Sequence, residues 1–339
     1  MAEQAAHIRW VVGSIPSLAI RAVRFLGRPF SFSTILPILT HMTINTKIRK
    51  PDWIRVRLPA GNKWERVDHI LARHGLHTVC DEARCPNKGE CWGCGTATFM
   101  IMGDICTRGC RFCAVTSGPA GRPLRADEPE ALASAIQEMG LSYAVITSVD
   151  RDDLDDRGAG HFAACIRAIR AKNPGVKIEV LTPDYIDEEM KIVAAAKPEV
   201  LAHNVETVRR LQGVRDARAS FDKSIKTLTQ AREFGIGITK SSILLGLGET
   251  RQELLETYTK LRRAKVDILV MGQYLQPTPK EIPVVEYIHP DTFALYAQDA
   301  QAAGFSTVVA SPFARTSYHA FDAWKAGIAS EAKSHKEAQ

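Results

Sequence analysis

From Thr96 onward the chain alternates short apolar, β-branched runs with longer stretches whose apolar residues recur at helical spacing. The runs TATFMIMG (96–103), YAVITS (143–148), KIEVLT (177–182), EVLAHN (199–204), GITKSSILLG (237–246) and DILVMGQYL (267–275) predict strands, and STVVAS (306–311) is a candidate seventh. Between them EPEALASAIQEM, DEEMKIVAAA and TRQELLETYTKLRRA predict helices; in the last, Leu254, Leu255, Tyr258 and Leu261 share a face. Repeated strand–helix units imply a parallel sheet, because strands running in one direction need a crossover between them. The sheet is either open and doubly wound or closed fully or partly into a barrel. In each case the chemistry collects at the carboxyl ends of the strands.

At 339 residues the chain can build a core without covalent staples. Residues 1–41 contain Arg9, Arg21, Arg24 and Arg28 but a single acid, Glu3. They read either as an organellar leader or as sequence upstream of a start at Met42. The stretch WVVGSIPSLAI is broken by Gly13 and Pro16 and falls short of the roughly 20 apolar residues a membrane span needs. The whole formal charge of +6 sits in residues 1–50, and the rest of the chain is balanced. That balance argues against a nucleic-acid partner. The expected location is the cytoplasm, or a mitochondrion or plastid if the leader is an import signal, with no membrane partner. EAKSHKEAQ (331–339) reads as a polar, frayed tail.

Candidate chemistry is concentrated in CDEARCPNKGECWGCGTATFMIMGDICTRGCRFC, which holds seven of the eight cysteines between Cys80 and Cys113. An odd count in a chain of this size speaks for reduced thiols, and closely spaced reduced thiols speak for metal. Three arrangements compete. A zinc ribbon built on Cys91-x2-Cys94 and Cys110-x2-Cys113 leaves Cys80, Cys85 and Cys106 idle and puts its two halves at opposite ends of a strand. Closed electron-carrying clusters take four thiolates each, which seven cysteines cannot supply twice. The third arrangement is two sets of three, Cys80-x4-Cys85-x5-Cys91 and Cys106-x3-Cys110-x2-Cys113, the second lying just beyond the first strand. Cys94 is then a spare thiol, and Cys165, inside the helical pattern HFAACIRAI, a packing residue.

CTRGCRFC, with Phe112 before its last cysteine, resembles the cluster motif of the radical S-adenosylmethionine superfamily. CDEARCPNKGECW followed by GTATFMIMGDICTRGCRFC is similar to the lipoyl synthase family. So are RKPDWIRVRLP (49–59), TSVDRDDL (147–154), HNVETV (203–208), TKSSILLGLGET (239–250), MGQYLQPT (271–278) and SPFARTSYHA (311–320). The resemblance implies an α/β fold: a partial (β/α)6 TIM-type barrel (96–310), an N-terminal cluster-binding extension (42–95) and a C-terminal closing segment (311–339). It implies a sulfurtransferase that places two sulfur atoms at C6 and C8 of an octanoyl chain held on a carrier lysine. Two [4Fe-4S] clusters and S-adenosylmethionine follow from it. Cys106, Cys110 and Cys113 hold the cluster that generates a 5′-deoxyadenosyl radical. Cys80, Cys85 and Cys91 hold a second, auxiliary cluster that donates sulfur.

The family's R-S-S-Y motif, whose second serine is a cluster ligand, reads Arg315-Thr316-Ser317-Tyr318 here. The ligand role therefore carries to Ser317, with Thr316 a departure. Implied partners are an octanoylated lipoyl-carrier domain or glycine-cleavage H-type protein, and a low-potential electron donor of ferredoxin or flavodoxin type. A biotin-synthase-like sulfur insertion is the nearest alternative enzyme, and a noncatalytic iron–sulfur or zinc protein the alternative of another class.

Ser148, Asn204, Glu206, Lys240 and Gln276, polar groups at strand ends, are the candidates for holding S-adenosylmethionine, while His203 reads as a core histidine. The acid run Asp150, Asp152, Asp153, Asp155 and Asp156 lacks the spacing of a calcium loop. It predicts a solvated strand-end loop that caps the next helix, although Asp155 and Arg157 depart from the family's loop. No dinucleotide-binding or P-loop glycine pattern occurs.

Overall fold

The computed structural model describes residues 49–56 and 62–337; the leader of residues 1–41 and the start at Met42 lie outside them. Helix α1 (Asn62–His74) turns Val67, Ile70 and Leu71 inward. It leads to the two-residue strand β1 (His77–Thr78) and to α2 (Val79–Glu82), whose first turn is capped by the Thr78 side chain. Helix α3 (Lys88–Gly93) buries Trp92.

Strand–helix units follow. β2 (Thr98–Ile101) is joined to α4 (Glu128–Met139) by a loop in which β3 (Ile105–Cys106) pairs with β4 (Thr116–Ser117). Then come β5 (Tyr143–Ser148) and α5 (Ala159–Lys172), β6 (Lys177–Leu181) and α6 (Asp187–Ala195), β7 (Val200–Ala202) and α7 (Phe221–Glu233), β8 (Ile238–Leu245) and α8 (Arg251–Arg263), and β9 (Ile268–Gln273) and α9 (Pro290–Ala302). β10 (Thr307–Ser311) and α10 (Ala320–Glu337) close the series.

β2 and β5 to β10 pair in parallel and in chain order, with β1 antiparallel on the β2 edge. Among the described residues no ladder joins β10 back to β1 or β2. The result is a partial barrel of six strand–helix units followed by a seventh parallel strand, the run STVVAS.

β5, β8 and β9 are buried on both faces, as a parallel sheet with helices outside requires. On the outer face Phe99, Ile146 and Ile178 meet Leu132, Ile136 and Phe162, and Leu269 and Met271 meet Leu254, Tyr258 and Leu261. Helix α8 illustrates why these segments fold as they do. Thr250 and Glu253 form a reciprocal capping box, and Leu254, Tyr258 and Leu261 fall on one buried stripe.

The inner face is closed by the end of the chain. Ala323 and Trp324 pack on Val200, Ile238, Ile268 and Val270, and Ala320 and Phe321 on Tyr143 and Val145. The backbone stays helical to Glu337, so most of the polar stretch read as a tail continues a docked helix. No helix of the described residues is long and apolar enough to cross a membrane.

Candidate active site

Beyond β2 the chain turns through Met102 (φ 69°) and Gly103 (φ 87°). A left-handed methionine is costly, and Glu128 holds it there by accepting the Met102 N–H at 3.0 Å. The following loop brings Cys106, Cys110 and Cys113 to a cavity at the carboxyl ends of β2, β5, β6 and β7. Cys106 Sγ accepts the backbone N–H groups of Arg108 and Asp150, both at 3.4 Å, and Cys110 Sγ that of Asp216 at 3.3 Å.

Donors aimed at sulfur favour thiolate over thiol. Against them, burial pushes all three thiols up, Cys106 to about 11 and Cys113 to about 12, with nearby acids and thiols adding to it. Thiols in this state lose their protons when a metal replaces them, and an iron–sulfur centre fits these residues.

The stretch between the first two cysteines carries its own structure. Arg108, only 4% exposed, donates to Asp152 at 2.9 and 3.0 Å and to Asp184 at 2.9 Å, and lies 3.4 Å from Asp150. Arg157 and Lys223 also pair with Asp184, and Arg218 with Asp152 and Asp216. The acid run is therefore only partly a solvated loop: Asp153 and Asp155 are exposed, whereas Asp150 and Asp152 belong to a network built on a buried arginine. Asp156 does cap α5, accepting the N–H groups of Gly158 at 2.9 Å and Gly160 at 2.8 Å.

Burial opposes ionisation of Asp184, but the hydrogen bonds and charge of Arg108 outweigh it and hold the carboxyl well below its usual range. Asp184→Asn should cost about 3 kcal/mol in urea unfolding at neutral pH, the scale for breaking one side of a buried pair. Because the native pKa is depressed, the gap between wild type and variant should be full above about pH 4, the ordinary carboxylate value. It should shrink as pH falls toward the native value.

Buried Ser148 Oγ and Thr182 Oγ1 line the same cavity and lack hydrogen-bond partners. Buried polar atoms are nearly always paired, so this pair fits a polar ligand such as S-adenosylmethionine. Ser148, Asn204 and Glu206 are brought together here. Lys240 and Gln276 are not. Lys240 lies near the amino end of β8 and pairs inside the barrel with Glu179 at 2.9 Å, and Tyr143 donates to the same carboxylate at 2.7 Å. The Gln276 amide is spent on the Glu281 carbonyl at 2.7 Å. His203 lines the cavity with both ring nitrogens engaged, by Thr182 O and Ser224 Oγ, each at 2.9 Å. Burial, with Arg215 adding to it, lowers its pKa to about 4, so it is neutral at physiological pH.

Cys80, Cys85 and Cys91 form a second neighbourhood. Burial raises each thiol, and Cys85 raises Cys80 further, as Cys80 and Cys85 do Cys91, to about 11 for Cys80 and about 12 for Cys91. Backbone N–H groups of Thr98 and Asn87 serve Cys80 and Cys85. The closing segment returns to this place from 226 positions away: Asn87 Nδ2 donates to Phe313 O at 2.7 Å, and Tyr318 Oη to Glu90 Oε1 at 2.9 Å. Ser317 lines one cavity with Cys91 and Cys94. Next to it, Thr316 Oγ1 bonds Asn204 Oδ1 at 3.0 Å, which ties the segment to the mouth of the first cavity.

The two halves of the zinc-ribbon reading line different cavities. Among the described residues the only set of three possible ligands with all donor atoms within 4.8 Å is Glu128, His161 and Cys165. Two of these bond each other, His161 Nε2 to Glu128 Oε2 at 2.6 Å, and Cys165 is buried in α5. Neither cysteine trio is gathered so tightly, as suits thiolates that would sit on different irons of one cluster. Sequence reasoning missed Arg108 and Asp184, whose only signal was an arginine between two cysteines.

The comparisons agree with this geometry. Residues 100–261 match the radical SAM superfamily, and residues 40–85 the N-terminal domain of lipoyl synthase of that family. The chain is similar to a lipoyl synthase of Pseudomonas putida (strain W619), 50% identical over 276 residues, covering 80% of this chain and 81% of the relative. One from Anaeromyxobacter sp. (strain Fw109-5) is also 50% identical, over 82% of this chain and 96% of its own. Among solved structures, the FeFe-hydrogenase maturase HydG from Carboxydothermus hydrogenoformans superposes with a TM-score of 0.52 at 16% identity, over 68% of this chain and 56% of that one, a likeness of fold alone. With half of its residues shared over four-fifths of full-length relatives, and with Cys106, Cys110 and Cys113 set at the carboxyl ends of the strands of a partial barrel, the chain belongs to the lipoyl synthase family of the radical S-adenosylmethionine superfamily.

Proposed function

We propose that this chain acts as a lipoyl synthase with divided labour between its cysteine trios. Cys106, Cys110 and Cys113 hold the [4Fe-4S] cluster of radical generation, beside S-adenosylmethionine on Ser148, Asn204 and Glu206. Cys80, Cys85, Cys91 and Ser317 hold a second [4Fe-4S] cluster, consumed as the sulfur substrate. The observation that carries this reading is the closing segment, which engages both places: Thr316 bonds Asn204 at the first cavity while Ser317 lines the second with Cys91.

Bound there, the first cluster and S-adenosylmethionine supply a 5′-deoxyadenosyl radical, the reagent suited to an unactivated C–H bond that has neither an acidic proton nor a leaving group. The chain's own residues orient and seclude. The Arg108 network fixes the cysteine loop against β5 and β6, His203 is held through both ring nitrogens by Thr182 and Ser224, and helix α10 shuts the inner face of the barrel.

The substrate is an octanoyl chain amide-linked to a lysine of a lipoyl-carrier domain or a glycine-cleavage H-type protein. Electrons come from a low-potential ferredoxin- or flavodoxin-type donor, and the location is the cytoplasm. The test supplies an octanoylated lipoyl-domain peptide, S-adenosylmethionine and reductant, and follows the peptide by mass spectrometry. Two added sulfur atoms per peptide, with two equivalents of S-adenosylmethionine consumed, are expected. Consumption without sulfur gain would defeat the reading.

A further inference from the structure

Met102 is held at φ 69°, in the left-handed region, where a residue with a side chain stays only if its surroundings over-determine it. Three grips do so. Its N–H donates to Glu128 Oε2 at 3.0 Å, and His161 Nε2 bonds the same oxygen at 2.6 Å. Its carbonyl accepts from Arg151 Nη1 at 3.5 Å, and Arg151 is itself fixed by Asp153 at 2.8 and 2.9 Å. Its sulfur lies against Gly158 (φ 84°), where a Cβ would collide with it. Glu128 and Arg151 are only 2% and 3% exposed, so α4, α5 and the loop after β5 close on one residue inside the protein.

That residue stands four positions before Cys106. Arg151 follows Asp150, whose N–H donates to Cys106 Sγ at 3.4 Å and whose carbonyl accepts the Thr107 N–H at 2.9 Å. The chain leaving β2 is thus tied to the chain leaving β5 on both sides of Cys106, at Met102 and at Thr107. Hydrogen bonds to its sulfurs help set the reduction potential of an iron–sulfur cluster, and such bonds weaken steeply as they bend. Resting on the assignment above of the radical-generating cluster to Cys106, Cys110 and Cys113, we propose that the grip on Met102 positions that cluster. Glu128, braced by His161, acts with Arg151 to keep the Asp150 N–H on Cys106 Sγ, and so sets the potential at which the cluster takes up its electron. Neither Glu128 nor His161 lines the cavity; both are positioning residues that act through the backbone.

The test uses anaerobically purified holoenzyme as wild type, Glu128→Ala, Glu128→Gln and His161→Ala. Electron paramagnetic resonance during a redox titration follows the cluster whose spectrum responds to S-adenosylmethionine, hydrogen exchange reads residues 147–152, and steady-state kinetics separate kcat from KM for cleavage. Glu128→Ala should move the potential to more negative values, because a poorly aligned N–H no longer stabilises the added electron. It should raise exchange at 147–152, and cut kcat about tenfold with KM for S-adenosylmethionine within about twofold, the scale and split expected of an outer partner of a metal site. Glu128→Gln keeps an oxygen for the Met102 N–H and should restore each reading to near wild type. His161→Ala should move all of them in the same direction by less, and it carries the test if Glu128→Ala does not assemble.

An unchanged potential or unchanged exchange at 147–152 in the folded alanine variant overturns the proposal. So does a Gln variant as impaired as the Ala variant, which would make charge rather than the hydrogen bond responsible, and so does a rise in KM at constant kcat. A wild-type spectrum indifferent to S-adenosylmethionine overturns the radical-cluster reading itself, and that shows before any variant is compared.

Discussion

Alanine at Cys106, Cys110 or Cys113 should lower reductive cleavage of S-adenosylmethionine by about a hundredfold or more, exceeding the loss usual for disturbing even the outer surroundings of a metal site. Alanine at Cys80, Cys85 or Cys91 should leave cleavage within about twofold, as for sites with separate ligands, and remove the sulfur product. The separation is structural. The first trio draws its N–H donors from Arg108, Asp150 and Asp216, and the second from Thr98 and Asn87. Chromatography of 5′-deoxyadenosine and mass analysis of the acyl peptide read the two activities independently. Equal loss of cleavage in both sets of folded variants would remove the donor assignment.

The parts of this arrangement that depend on local spacing were legible in the sequence. Short apolar runs placed β2 and β5 to β10, because a parallel strand covered on both sides has to be a short apolar run, and the helical run EPEALASAIQEM coincides with α4. Groups whose partners come from far along the chain were not legible. Lys240 looked like a strand-end residue, since an eight-residue strand can be entered at several registers. Its partner Glu179 is 61 positions away. The acid run looked solvated because nothing nearby in sequence announces that Arg108, itself buried, would come to meet it. Ser317 would have passed for a loop residue without the family resemblance. The hydrogen bonds of Asn87 and Tyr318 that bring its segment to the cysteines span more than 200 positions.

Ser317 and Cys94 pose the sharpest choice, since both line the cavity that holds Cys91. Proximity in sequence favours Cys94: it closes helix α3, and its N–H is bonded to Cys91 O and Glu90 O, so its use would need no return of the distant chain end. A fourth thiolate would also complete an ordinary closed cluster, which suits electron transfer and is a poor design for a cluster that must come apart. Ser317 offers a harder oxygen and a weaker hold on iron, and it is carried by a segment with its own anchors at Asn87, Glu90 and Asn204. Cys94 is exposed, where it is open to exchange with solvent thiols, and Ser317 is half-buried. Cys94→Ala should therefore keep both clusters and full sulfur transfer, while Ser317→Ala should cut lipoyl product about tenfold or more and still cleave S-adenosylmethionine. Ser317→Cys should assemble a spectroscopically normal donor cluster that yields its sulfur slowly, because thiolate grips iron more firmly than the alcohol oxygen. If Cys94→Ala strips the donor cluster while Ser317→Ala stays active, the fourth ligand is the nearby thiol. Dismantling would then have to begin at one of four equivalent iron–thiolate bonds, with nothing in the closing segment to choose among them.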